Sequence, residues 1–316
     1  MGLKETFRQQ GGTQLIKQYW QGGAFLTAVS EFLILGHKKT ALELLRLSAQ
    51  YKIKQKLEKK YSNAIEKFQE NYSDDLPHVS SNKVWVCWFQ GIENAPLLVK
   101  KCYQSLQENL KDREIILITS ENMLQYADFP DHILNKWKNG QITHTHMTDL
   151  LRLELLIRHG GIWIDSTVLC SAQREQIPDY IFDSDLFFYQ ALKPGRDGQS
   201  QIISSWLMSA RTNNKILMLT RELCYLYWQT HDSLVDYFLL HDFMSIALEH
   251  NTELWHAVVP RDNATPHNLL LRLFDPYDEA MFSAIVGQTP FHKLSYKFSE
   301  DKLEKPDTFY RKIFKG

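Results

Sequence analysis

The chain has 316 residues with 36 Lys or Arg against 37 Asp or Glu, so its formal net charge of −1 excludes a general affinity for nucleic acid. Its 44% hydrophobic and 12% aromatic residues exclude a disordered chain and allow one large packed domain with an appendage. The 4 cysteines lie far apart without a C-x-x-C pair. This spacing argues against a metal or disulfide framework and agrees with a reducing cytoplasm.

Residues 1–80 are predicted to form a helical extension, with two or three helices over 13–72 and a turn-rich linker over 73–82. The apolar run Ala24–Leu35 is shorter than the roughly 20 residues of a membrane span. No signal peptide is predicted, so we expect a cytoplasmic protein, soluble or peripheral at the inner face of the membrane. Lys38–Lys67 carries nine Lys or Arg against three Glu. This stretch is either a basic face that contacts anionic membrane or an ordinary solvated helix, and both interpretations stay open.

Residues 81–316 are predicted to form the main domain. Val84–Phe89 and Glu114–Thr119 are apolar runs typical of buried parallel strands, and a helix from Pro96 to Asn109 connects them. Such a strand–helix–strand unit predicts a nucleotide-binding α/β sheet. A dehydrogenase is set aside, because no G-x-G-x-x-G follows the first strand.

The central stretch, residues 143–171, combines a mostly buried helix, a short strand at Ile162–Ile164 and the tripeptide D-S-T. Thr148 or Asp149 is the predicted N-cap of the helix, and Gly160 the predicted left-handed C-cap. Asp165 is expected at the carboxyl end of the strand, the edge where ligands of open α/β sheets bind. Asp149 and Arg152 share a helix face, and an exposed pair of this kind contributes only about 0.3–0.5 kcal/mol. Stability alone therefore explains them poorly, and we expect them in a site.

The remaining chain gives weaker signals. Strands are predicted over 186–190, 202–209 and 291–296, and helices over 214–229 and 234–250. The loop 193–200 is interpreted as a mobile lid, and the last twenty residues as loosely held. His241 and Asp242 are candidates for contact with an acceptor, although a His-Asp pair at a helix end is commonly structural.

A family resemblance rests on Asp149, Arg152, Gly160, Gly161, Trp163, Asp165 and Thr167. This D-x-x-R…GG-x-x-D pattern resembles the DXD region of glycosyltransferases with a GT-A fold, in particular the capsular-polysaccharide-synthesis branch of glycosyltransferase family 32. It is also similar to sugar-transferring bacterial toxins. The resemblance implies an α/β fold of GT-A type, Rossmann-like, with a mostly parallel central sheet that binds a nucleotide sugar.

The resemblance further implies a metal-dependent, retaining glycosyltransferase. Its donor would be a UDP-sugar, and its acceptor a growing capsular polysaccharide or a lipid-linked oligosaccharide. A catalytically silent module that binds a nucleotide sugar or glycan is the alternative, because Thr167 replaces the second aspartate of the usual DXD.

Site residues follow from the same resemblance. Asp149, Arg152 and Asp165 would be catalytic, with Asp149 accepting hydrogen bonds from the donor sugar and Arg152 holding it. The predicted donor-binding residues are Trp88, Phe89, Gln90, Gly91, Gly161, Asp165 and Lys293. Mn²⁺ or Mg²⁺ would be held by Asp165, Thr167 and His292, because such ions take oxygen ligands and Mn²⁺ also accepts imidazole.

Overall fold

The structure, a computed structural model, describes residues 12–192 and 202–315, and a central sheet organises it. The strands are β1 Lys83–Cys87, β2 Glu114–Ile118, β3 Gly161–Ile164, β4 Val168–Cys170, β5 Leu186–Gln190, β6 Ile203–Ala210 and β7 Phe291–Lys293. Five of them form the main sheet in the order β2-β1-β3-β6-β5, and β4 pairs with β7 in a small second sheet. β1 is parallel to β2 and β3, whereas β6 is antiparallel to both neighbours. The predicted mixed α/β fold with a mostly parallel sheet is confirmed.

Helices cover both faces of the sheet and make up the N-terminal part. They are α1 Gly12–Gln21, α2 Phe25–Leu35, α3 Lys39–Asn71, α4 Leu97–Asn109, α5 Met123–Tyr126, α6 Asp131–Lys138, α7 His144–His159, α8 Tyr180–Asp183, α9 Lys215–Thr230, α10 Leu239–Glu249, α11 Thr252–His256, α12 Asn268–Arg272, α13 Glu279–Val286 and α14 Glu300–Glu304. Across 12–192 and 202–315, no helix is both long and apolar enough to cross a bilayer. The expected lid at 193–200 lies outside the described residues.

The main sheet is buried on both faces, as the continuous apolar runs predict. Trp85 and Trp163 belong to the large core cluster on one face. Val84, Ile162 and Leu207 belong to the cluster on the other face. Successive residues of a strand point to opposite faces, so the sheet separates two apolar layers.

The long helix α3 packs against α9 and α10. Its residues Ile53 and Leu57 lie in the large core cluster, and the rings of Tyr61 and Phe243 are 5.4 Å apart. Lys54, within the predicted basic face, is instead buried and forms an ion pair with Glu249. The division into residues 1–80 and 81–316 stays a prediction.

The central helix α7 begins earlier than its apolar stripe indicates. Thr143 is the N-cap, and its hydroxyl accepts a hydrogen bond from the His146 amide at 3.2 Å. The prediction of Thr148 or Asp149 as N-cap was wrong, because the preceding polar turn T-H-T-H is already helical. Gly160 has the expected positive φ of 65°, but its ψ of −163° lies outside the left-handed helical region.

The C-terminal segment is anchored by aromatic side chains. Phe309, Tyr310 and Phe314 are buried in a third cluster together with Leu98 and Cys102 of α4. The expectation of a loosely held tail was therefore wrong for residues 308–314, whereas residues 299–307 are mostly exposed. Charged residues dominate the composition of this segment, but the few aromatic ones bury enough apolar area to hold it.

Candidate functional site

The candidate site lies beyond the carboxyl end of β3, where Arg152 joins two aspartates. Arg152 Nη1 donates a hydrogen bond to Asp149 Oδ1 at 2.8 Å, and Nη2 donates to Asp165 Oδ1 at 3.2 Å. The guanidinium is buried and lies 5.0 Å from the centre of the Trp163 ring. The structure thus brings together the three residues that the sequence pattern singled out, the two aspartates of which lie sixteen positions apart along the chain.

Asp165 also receives a lysine from the far end of the chain. Lys293 Nζ lies 2.7 Å from Asp165 Oδ2 and 2.7 Å from Thr167 Oγ1. The pairing of β4 with β7 fixes this contact, because Lys293 stands opposite Val168 and the Leu294 amide donates to the Thr167 carbonyl. The predicted tripeptide and the predicted lysine therefore share one cluster.

Opposing effects set the ionisation of Asp165. Burial by itself raises the pKa of this carboxyl. The ammonium of Lys293 and the guanidinium of Arg152 outweigh burial, assisted by hydrogen bonds from Lys293 and from Trp163 Nε1, and they hold the pKa below its usual value. Asp165 is therefore a carboxylate at neutral pH.

A buried histidine and a buried tryptophan orient the Asp149 carboxylate through a series of hydrogen bonds. Trp228 Nε1 donates to His146 Nε2 at 2.9 Å, and His146 Nδ1 lies 3.3 Å from Asp149 Oδ2. His146 and Trp228 are both buried. Sequence reasoning missed both, although His146 stands three residues before Asp149 on the same helix face; Trp228 carries no local signal.

Aromatic side chains rim the site. The rings of Trp88 and Tyr296 meet edge to face with centroids 5.3 Å apart. Trp88 Nε1 is buried and has no hydrogen-bond partner among the described residues. Tyr237 is exposed as a residue, but partial burial of its hydroxyl and the negative charges of Asp149 and Asp165 raise its pKa, so Tyr237 belongs to this rim. Neither Tyr237 nor Tyr296 was singled out from the sequence.

Three predicted donor-binding residues following β1 have different surroundings. Phe89 is buried against Trp137 and His144, with ring centroids 5.4 and 5.5 Å away, so its ring belongs to the core and not to a ligand site. Gln90 is exposed, and Gly91 has a φ of 78° with open space around it. Of these three residues, Gln90 and Gly91 therefore stay accessible and Phe89 does not.

Gly161 is required by the backbone. Its φ is 92°, and a Cβ atom here would lie 2.4 Å from the Lys83 carbonyl oxygen. The strand β3 approaches β1 this closely only because residue 161 lacks a side chain. Its role in donor binding stays a prediction.

His292 is separated from the two other predicted metal ligands. Neighbouring residues of a strand face opposite sides, so His292 points away from the side that Lys293 takes. Its Nε2 lies 2.8 Å from Ser171 Oγ, and burial lowers its pKa to about 4. The structure thus keeps Asp165 with Thr167 but not with His292, and the predicted ligand set is corrected accordingly.

The two acceptor candidates on α10 also differ. Burial is the largest of the causes that lower the pKa of His241 to about 4, and the charge of Arg152 adds to it. The negative charges of Asp149 and Asp165 oppose this shift. Its neutral imidazole therefore lies near the cluster. Asp242 is fully buried, which removes it from contact with an acceptor.

The sequence profile described as capsular polysaccharide synthesis protein matches residues 37–313, and the chain belongs to that family.

Individual proteins that the chain resembles carry glycosyltransferase names. The chain is similar to the O-glycosyltransferase PaGT of Phomopsis amygdali, with 24% identity over 201 residues that cover 60% of this chain and 49% of PaGT. It is also similar to the O-glycosyltransferase braB of Annulohypoxylon truncatum, with 32% identity over 99 residues covering 28% of this chain and 24% of braB. The chain thus spans less than half the length of these curated relatives. Among solved structures, PaToxG Glycosyltransferase shows 13% identity and a TM-score of 0.41, covering 84% of this chain and 97% of that one.

Proposed function

We propose that the chain transfers a sugar from a nucleotide donor, a UDP-sugar, to a glycan or lipid-linked oligosaccharide, with retention of anomeric configuration. The observation that carries the proposal is the continuous cluster in which Arg152 and Lys293 hold Asp165 between them while Arg152 also holds Asp149. Two carboxylates and two cations meet at the ligand-binding edge of an α/β sheet. A purely structural role would not need four charges there.

In this proposal, Asp149 binds the donor sugar. Its carboxylate accepts hydrogen bonds from sugar hydroxyls, each worth about 1.5–3 kcal/mol when the acceptor is charged. Arg152 fixes the direction of this carboxylate through the 2.8 Å bond. Positioning of this kind contributes to the rate because the reacting groups are held in place before the reaction begins.

In this proposal, the base of the nucleotide stacks on the aromatic rim of the site. Stacking of a base on an aromatic ring contributes about 1–3 kcal/mol. The candidate rings are Tyr237, on which the charges of the cluster act, and the contacting pair Trp88 and Tyr296. Trp88 Nε1 is a buried donor without a partner among the described residues, and a base carbonyl would satisfy it. Gln90 and Gly91 follow in the same turn, in which the Gly91 amide donates a hydrogen bond to the Trp88 carbonyl at 3.0 Å.

The transfer itself needs no dedicated base in this proposal. The bond from the anomeric carbon to the diphosphate breaks, and its electron pair stays on the phosphate oxygen. The acceptor oxygen bonds to the anomeric carbon from the same face and passes its proton to that departing oxygen. The residues of this chain orient both partners and stabilise the charge that develops.

The residues at the D-S-T tripeptide do not fit the divalent ion that the resemblance implies. Asp165 Oδ2 and Thr167 Oγ1, the two predicted ligands that lie together, both accept hydrogen bonds from Lys293 Nζ. Asp165 Oδ1 accepts from Arg152 and from Trp163. Across the described residues, no group of three or more His, Cys, Asp or Glu side chains could hold a metal. The proposed transfer therefore includes no step at a metal ion.

In this proposal, the chain contacts a membrane surface, where it meets its acceptor. Helix α2 exposes Leu26, Leu33 and Ile34 to 80%, 77% and 77%, and the adjacent exposed residues include Lys38 and Lys39. An apolar helix face beside cations suits the interface of an anionic bilayer. A lipid-linked acceptor would be presented at the same surface.

Release of UDP from a panel of UDP-sugars tests this function, and Asp165→Asn removes the charge that the cluster is built around. Wild type should release UDP, and Asp165→Asn should lose at least a hundredfold. Asp128→Asn is the matched control, because Asp128 is an exposed carboxylate paired with Arg158. Tight binding of a UDP-sugar without any release would instead identify a silent binding module.

A further inference from the structure

Lys293 Nζ lies between two side chains that were predicted to bind a metal ion. A nucleotide diphosphate leaves with negative charge that must be neutralised. A divalent ion usually does this as a Lewis acid. Here the ammonium lies 2.7 Å from both Asp165 Oδ2 and Thr167 Oγ1, the two oxygens that a bound ion would use. An organic cation therefore already stands between the two predicted ligands.

The lysine is held there by the backbone. Lys293 lies on β7, opposite Val168 in the register with β4, and the next amide along the chain donates to the Thr167 carbonyl at 3.0 Å. A side chain on a paired strand loses less freedom on making a contact than one on a loop. The lysine and Asp165 keep 20% and 26% of their side-chain surface exposed, so a ligand reaches them.

The charges of the cluster are already balanced. Asp149 and Asp165 supply two negative charges, and Arg152 and Lys293 supply two positive ones. A site with a second aspartate at position 167 would have a surplus negative charge for a metal, but Thr167 is neutral. A divalent ion on these oxygens would meet the ammonium at close range, and like charges at that distance repel strongly.

We propose that Lys293 takes the place of the divalent ion and that its ammonium binds the donor diphosphate directly. An ammonium has three N–H donors, and Asp165 and Thr167 accept two of them, which leaves one for a phosphate oxygen. Lysine is a usual point-charge ligand for phosphate. When the bond from the anomeric carbon to phosphate breaks, the electron pair goes to the phosphate oxygen beside the ammonium. The acceptor proton goes to the same leaving group, so no further reactant is required.

This inference rests on the proposed function, and nucleotide binding tests the two separately. UDP and GDP are titrated calorimetrically into the full chain, first with EDTA and then with Mn²⁺. We expect one of these nucleotides to bind with dissociation constants that agree within threefold in the two buffers. Lys293→Met should weaken that binding at least tenfold in EDTA, and Lys293→Arg should restore most of it. Lys302→Met, at an exposed lysine on α14, is the matched control and should change binding less than twofold.

The wild-type comparison requires no variant to fold, so the test stands even if Lys293→Met is unstable. Binding that appears only with Mn²⁺ would overturn the role of Lys293 and leave the proposed transferase intact. The same conclusion would follow if Lys293→Met bound as tightly as wild type in EDTA. Absence of binding by either nucleotide in both buffers would overturn the inference and the proposed donor together.

Discussion

Trp228 on α9 donates its indole hydrogen bond to His146 Nε2 on α7 across 2.9 Å. Because Nε2 accepts this bond, the proton of the neutral imidazole sits on Nδ1 and faces Asp149 Oδ2 at 3.3 Å. The buried series Trp228, His146, Asp149 therefore sets the direction of a carboxylate that we assign to the donor sugar.

Trp228→Phe should lower transfer activity more than stability. The change keeps most of the buried ring but removes the donor to His146, so the imidazole can turn and Asp149 loses its fixed direction. An unsatisfied buried group costs about 1–3 kcal/mol, and we expect kcat to fall about tenfold while the chain stays folded. Steady-state kinetics and thermal unfolding measure the two effects. Trp20→Phe, at an exposed ring, is the control, and equal kcat in both variants would contradict the orienting role.

Arg152→Lys should abolish most activity although it conserves charge. One guanidinium bridges two carboxylates through Nη1 and Nη2, whereas a lysine ammonium lacks this planar geometry. We expect transfer to fall at least a hundredfold. Arg158→Lys is the control on the same helix, because Arg158 is exposed and pairs with Asp128 at the surface. Near-normal UDP release by Arg152→Lys would show that the bridge is dispensable.

Buried histidine makes stability depend on pH. Burial lowers the pKa of His292 to about 4, against about 6.5 in an unfolded chain. Between these values the unfolded chain binds the proton and the folded one does not, so this contribution is present above pH 6.5 and is lost as pH falls towards 4. Urea unfolding of His292→Gln should therefore depend on pH less steeply, by about 1.4 kcal/mol per pH unit in this window.

His241, whose pKa is also lowered to about 4, makes the folded chain less stable as pH falls, as His292 does. Asp236 has the opposite effect on the pH dependence of stability. Burial raises the pKa of Asp236 to about 6, so the folded chain holds that proton and gains stability as pH falls below 6. Comparing wild type with His292→Gln cancels both groups. Parallel stability curves for the two proteins would show that His292 does not stay neutral in the fold.

Gly161→Ala should destabilise the sheet beneath the site. The new Cβ would lie 2.4 Å from the Lys83 carbonyl oxygen at a φ of 92°, so β1 and β3 must separate, and we expect a loss of about 2–4 kcal/mol in the free energy of unfolding. Gly140→Ala is the matched control, because its φ is 74° but nothing lies within 4 Å. It should lose only the conformational cost of about 1–2 kcal/mol. Urea denaturation of both variants measures the difference.

Replacing Leu26, Leu33 and Ile34 together by serine should reduce binding to anionic vesicles. These side chains form the exposed apolar face of α2 next to Lys38 and Lys39, and each buried side chain of this size contributes about 1.5–3 kcal/mol. Sedimentation with phosphatidylserine vesicles, at low and high salt, measures the effect. Leu271→Ser, at another exposed leucine, is the control. Equal recovery on neutral and anionic vesicles, or a dimer that the triple variant disrupts, would contradict the membrane assignment.

The strands of the main sheet were predictable because their signal is local. Continuous apolar runs identify β1, β2 and β5 to within two residues at either end. The three-residue strand β4 has no such signal, since it is too short to show any period. Its pairing with β7 depends on a contact between segments about 120 residues apart, which no local pattern encodes.

The site was predictable where one helix and one strand carry it. Asp149, Arg152 and Asp165 lie on α7 and just past β3, so spacing and periodicity give their faces. His292 and Lys293 were predicted as a pair, but strand alternation sends them to opposite sides, and only the register of β7 decides which one meets Asp165. Trp228 and Tyr237 come from other elements, so sequence alone could not place them.

The antiparallel pairing of Lys293 with Val168 has a consequence for biosynthesis. During translation, the helix and strand that carry both aspartates emerge well before the lysine that balances them. The proposed activity can therefore begin only after β7 has docked, so a nascent or prematurely truncated chain would hold an uncompensated carboxylate and stay inert.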